Sequence, residues 1–171
     1  MATTMMLVAA LAGQAASMRH VRASEPRIIA LIDAGLARSA TFRRLVDALD
    51  RSDVILYIEP KLTRQSLGAY LAHNVTVGGG FRYLHVAIDT HGADGRILPL
   101  LAHELQHAVE VAADPSVRDS KSADRLFERL AIQFGCGGTT CAETQAAKDV
   151  EAAVGAELRA AHQKVIVTSS P

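Results

Sequence analysis

The stretch "LLAHELQHAVEVA", Leu100 to Ala112, places two histidines four residues apart with a glutamate directly after the first. Leu101, Leu105, Ala108 and Ala112 recur within it at i, i+4, i+7 and i+11, the period of a helix with one buried stripe. His103 and His107 point away from that stripe, yet Leu100 and Val111 flank them, so protein is expected to cover the histidine face as well. Two imidazoles one turn apart on a covered face need partners, and a single metal ion serves both. The pattern is H-E-x-x-H. Glu104 stands a third of a turn round, close enough to hydrogen-bond a water on such an ion without ligating it, which is the position of a general base. Core histidines satisfied by ordinary hydrogen bonds are the plainer alternative.

The motif helix is expected to start near Pro99, a residue suited to a first turn, and to stop at Asp114-Pro115. Upstream, "EPRIIALIDAGLA" and "TFRRLVDALD" have helical spacing, with Pro26 in a first turn and Ser39 or Thr41 as a cap. "DVILYIEP" reads as a strand, and "SLGAYLAHNVTV" and "FRYLHVAID" read as two more around the turn "GGG", with Leu84, Val86 and Ile88 alternating against Tyr83, His85 and Ala87. Two helices are expected after the motif, at about 121–134 and 142–163. Helices, then a small three-stranded sheet preceding the motif helix, then C-terminal helices make an α+β fold.

A chain of 171 residues, 49% of them hydrophobic, can bury a core. Lys plus Arg (18) balances Asp plus Glu (18), so no net field draws the chain to nucleic acid or to an anionic membrane, and nucleic-acid binding is set aside. Residues 1–16 include an apolar run ending in small residues, which suits a signal peptide followed by one domain over 17–171. The run is too short for a stable membrane span. Export to the periplasm or the cell exterior is the expectation; no Lys or Arg precedes the run, and a cytoplasmic location is the alternative. Cys136 and Cys141, in "GCGGTTCA", could pair in an oxidising compartment.

In "HELQH" the chain resembles the zincin metallopeptidases, and it is also similar to a group of small bacterial proteins with the same core. The resemblance implies Zn2+ held by His103 and His107, catalysis by Glu104, and a sheet whose edge strand holds a peptide or protein substrate in extended form. The third histidine of the metzincins is absent, since Glu110 and Ala113 stand where their glycine and histidine would be. That directs the search to the glutamate-zincins, whose third ligand is a glutamate on a later helix.

Glu143 is the candidate. It lies 36 residues after His107, and Ala147, Val150, Val154 and Ala161 share its helical stripe, so its carboxylate begins a core-facing stripe and wants a cation. Asp124 and Glu128 lie opposite Leu126 and Leu130, and Glu110 suits a supporting role on the motif helix. The family often places an acid one turn after its glutamate ligand. Here that position is Ala147, which leaves Asp119, Asp124 and Asp149 as candidate partners of the first histidine, and Tyr83, His85 and His162 as candidate oxyanion donors. The expected activity is zinc-dependent peptide hydrolysis; the alternatives are a metal-binding scaffold without chemistry and a cytosolic protease dedicated to one partner.

Overall fold

The computed structural model describes residues 19–61, 68–131 and 143–168. The apolar run 1–16 and Cys136 and Cys141 lie outside the described residues. In chain order the elements are β1 (Val21–Ala23), α1 (Pro26–Arg38), α2 (Ala40–Asp50), β2 (Val54–Pro60), β3 (Ala69–Gly78), β4 (Phe81–Ile88), α3 (Asp94–Ala113), α4 (Ser120–Leu130) and α5 (Gln145–Thr168). The fold is α+β, as expected from the order of elements. No helix among the described residues is long and apolar enough to cross a membrane.

The sheet is mixed and has four strands among the described residues, in the order β1-β2-β4-β3, where three were expected. The addition is β1. Three residues are too few for any periodicity, and β1 exists through its parallel pairing with Leu56–Ile58 of β2 and the bond from His20 N–H to Asp50. β3 and β4 form the expected antiparallel hairpin. Its loop is two residues, Gly79 and Gly80, both at positive φ (58° and 84°), a turn that residues with a Cβ adopt only with strain. The hairpin folds back so that β4 enters the sheet beside β2 and β3 becomes an edge.

Alternation decides which sheet face the helices cover. Leu56, Ile58, Leu84, Val86 and Ile88 are fully or almost fully buried, while Tyr57, Tyr83 and His85 on the other face are half-buried and stack on one another. Each fully buried leucine or isoleucine on the covered face contributes about 1.5–3 kcal/mol. The same core takes in Ile28 and Leu31 of α1, Phe42 and Leu49 of α2, and Leu98, Leu101 and Leu105 of α3. α1 and α2 close tightly because Gly35 leaves room for the Phe42 ring; a Cβ there would meet ring carbons at 2.8 Å. Ser39 caps α2, its hydroxyl accepting from Phe42 N–H.

α3 begins at Asp94, five residues earlier than expected, so Pro99 lies inside the helix and not in its first turn. The start is held from outside: Asp94 pairs with Arg27 of α1, and its negative charge in the first turn suits the helix dipole. The other end of α3 is fastened by Arg82 of β4, whose side chain is 1% exposed. Its guanidinium grips the Asp53 carboxylate at 2.9 and 2.7 Å and donates to the carbonyls of Val111, Ala112, Asp114 and Val117. Terminal helix carbonyls lack partners within the helix, and a cation is the favourable one at that end. α5 packs along α3, and its Glu157 reaches α2, accepting from the hydroxyls of Ser39 and Thr41 and from Thr41 N–H.

Candidate metal centre

The motif is helical throughout, and α5, β3 and α4 cover its histidine face. His103, Glu104 and His107 are 6%, 7% and 7% exposed. The imidazole rings stand edge to face, centroids 4.8 Å apart, and Phe127 of α4 meets the His107 ring at 5.2 Å.

Each histidine has its Nδ1 against a carboxylate. His103 Nδ1 lies 3.0 Å from Glu151 of α5, and His107 Nδ1 lies 2.9 Å from Glu110, one turn on in α3. Paired this way, Nδ1 carries the proton and Nε2 of each ring is the nitrogen able to meet an ion, with its basicity raised. Oε2 of Glu143 lies 3.3 Å from Nε2 of His103. Glu143 is not in the first turn of α5, as the stripe suggested: it sits two residues before Gln145, and Thr144 caps the helix by accepting from Ala147 N–H. Of the stripe, Ala147 and Val154 are buried and Val150 and Ala161 half-buried.

Burial pushes the Glu104 carboxyl above its ordinary range, against the opposing pull of His107, His103 and the Leu71 N–H, while the charge of Glu143 adds to the rise. Leu71 belongs to the edge strand β3, so the candidate base faces the backbone of that edge. For His107, burial lowers the pKa, but the hydrogen bond to Glu110 and the charges of Glu104, Glu110 and Glu143 outweigh it and the net shift is upward. Glu143 is thus felt electrostatically by both Glu104 and His107.

The donor set can be tested against zinc. At metal–ligand bonds of about 2.0–2.2 Å, two ligands of a tetrahedral zinc stand about 3.3–3.5 Å apart, and the His103–Glu143 pair is at 3.3 Å. Two imidazoles with Nδ1 paired and one carboxylate suit that ion in type. Among the described residues, however, no three His, Cys, Asp or Glu side chains stand as a group that could hold an ion. The fit therefore lies in the donor types, their outer hydrogen bonds and one ligand–ligand distance. No protein-family model, curated protein or solved structure matches the chain, so these residues and distances are what the reading rests on.

Several expected supporting residues stand elsewhere. Asp119 caps α4, Asp124 faces His73 of β3, and Asp149 accepts from Gln145; none is the partner of His103. That partner is Glu151, one turn after the buried Ala147, and no local pattern in the sequence separates it from the other acids of α5. Tyr83 and His85 lie on the sheet face turned away from α3, and His162 is exposed far along α5, so the three do not gather at the motif. The histidine that β3 does bring near is His73, stacked on the opposite neighbour of His107, Phe127, at 4.8 Å.

Proposed function

We propose that this chain is a zinc-dependent metallopeptidase, with His103, His107 and Glu143 holding the ion and Glu104 acting as general base. The observation that carries the reading is the approach of Glu143, from outside the motif helix, to within 3.3 Å of His103 Nε2, while both Nδ1 atoms are held by carboxylates. When bound, zinc supplies Lewis acidity: it polarises a carbonyl oxygen and brings the pKa of a water toward about 7.

The chain's own groups supply the rest. The Glu104 carboxylate takes a proton from the attacking water and returns it to the leaving amine; its burial raises its basicity toward the working pH. β3 is an edge strand, and an extended peptide is the class of substrate that pairs with an edge. The backbone of Leu71 in that edge strand faces Glu104.

The experiment is cleavage of unstructured peptides by zinc-loaded protein, compared with Glu104→Gln. Cleavage by the parent and a loss of at least about 100-fold in kcat in the variant are expected. Equal activity of the two would reject Glu104 as the base, and no cleavage of any peptide by zinc-loaded parent would reject the activity.

A further inference from the structure

Thr144 is one buried hydroxyl, 3% exposed, joined to three elements. Its Oγ1 lies 2.7 Å from Oε1 of Glu110 on α3 and 3.1 Å from the N–H of Ala147 in α5, and its backbone bridges Ala131 at the end of α4. A hydroxyl has one proton. The Ala147 N–H can only donate, so Oγ1 accepts there and its proton goes to Glu110. Oε1 of Glu110 is thereby fixed as an acceptor and the carboxylate is held from one side. Its other oxygen, Oε2, meets His107 Nδ1 at 2.9 Å. A carboxylate accepting at both oxygens takes the Nδ1–H of His107 and leaves the lone pair on Nε2.

We infer that Thr144 is a positioning residue of the metal centre. Through Glu110 it holds His107 in the Nδ1–H tautomer, and through its own fixed backbone it places the adjacent Glu143 against His103. One residue thus bears on two ligands from different segments of the chain, on His107 through its hydroxyl and on Glu143 through its backbone. The zinc part of this inference rests on the function proposed above; the tautomer part is a property of the metal-free protein.

Three replacements separate the jobs of the hydroxyl. Thr144→Ser keeps both bonds. Thr144→Asp keeps the acceptor that caps α5 but has no proton for Glu110, and Thr144→Val keeps the shape and loses both. Two readouts apply: the ring 15N shifts of His107 in zinc-free protein at about pH 9, above the ordinary histidine range, and zinc affinity by competition with a chelator. The parent and Thr144→Ser are expected to show the Nδ1–H tautomer and equal affinity. Thr144→Asp and Thr144→Val are expected to show mixed tautomers and about 10-fold weaker zinc binding.

Retention of the Nδ1–H tautomer and the parent's affinity in Thr144→Asp would overturn the inference, because the cap alone would then explain the residue. Should Thr144→Val fail to fold, Thr144→Asp and Thr144→Ser still decide it. If the parent binds no zinc, the proposed function fails, and the tautomers still decide whether Thr144 sets the His107 ring.

Discussion

Oε2 of Glu151 lies 3.0 Å from Nδ1 of His103, although 48 residues of chain separate them. This bond orients the first histidine from α5, the element that also follows Glu143. Replacing Glu151 by Ala is expected to weaken zinc binding about 10- to 100-fold, the usual effect of removing a carboxylate behind a ligating imidazole. Chelator competition measures it, and unchanged affinity would remove Glu151 from the site.

Glu143 and Glu110 are both acids beside the motif, and their roles differ. As a ligand, Glu143 is expected to cost more than about 100-fold in zinc affinity when replaced by Ala, whereas Glu110→Ala is expected to fall in the 10- to 100-fold range of an outer partner. Loss confined to Glu110→Ala, with Glu143→Ala binding as the parent does, would reverse the ligand assignment.

Arg82 carries the end of the motif helix. Arg82→Met removes the guanidinium donor from the carbonyls of Ala112 and Val117 and the cation from Asp53. The expected loss of stability is about 2–4 kcal/mol, from the two carbonyls left unsatisfied, while the Asp53 side chain, 43% exposed, turns to solvent. Urea unfolding reads it directly, and a change below about 1 kcal/mol would show that α3 is anchored by its apolar stripe alone.

The same contact has a pH signature. The hydrogen bonds from Arg82 hold the Asp53 carboxyl below its ordinary range, ahead of the opposing effect of burial. A depressed folded pKa contributes stability that is present above the unfolded value of about 4 and is lost as the pH falls through the folded value. Stability should therefore decline below about pH 4, and Asp53→Asn should make that decline shallower. Asp114 and Asp119, held low by their bonds to Ser116 and Ser122, shift in the same direction, so part of the acid limb remains. An acid limb of undiminished slope in Asp53→Asn would contradict the assignment.

These groups differ in how far they could be read from the chain. The motif helix and its buried histidine face follow from local spacing, as do the hairpin around Gly79 and Gly80 and the cap at Ser39. Glu143 was legible through its distance from the motif and the stripe of Ala147 and Val154, though its place just outside the helix was not, because a cap at Thr144 and a stripe beginning at 143 look alike in sequence. Glu151 was hidden: which acid of α5 meets His103 depends on how α5 lies along α3, and no local pattern specifies that. Arg82 breaks the apolar alternation of β4 and reads as a surface charge until the end of α3 arrives beside it. The early start of α3 was masked by Pro99, since the interaction that begins the helix, Arg27 with Asp94, joins residues 67 apart.

The central claim is that the motif helix and Glu143 together make a zinc centre. Dialysing purified protein against zinc, removing the excess and measuring bound metal per chain by mass spectrometry tests it most directly, with Glu104→Gln and the double variant His103→Ala/His107→Ala alongside. About one zinc per chain is predicted for the parent and for Glu104→Gln, which alters the base but no ligand, and none for the double variant. A zinc-free parent, or a double variant that holds zinc as the parent does, would contradict the account.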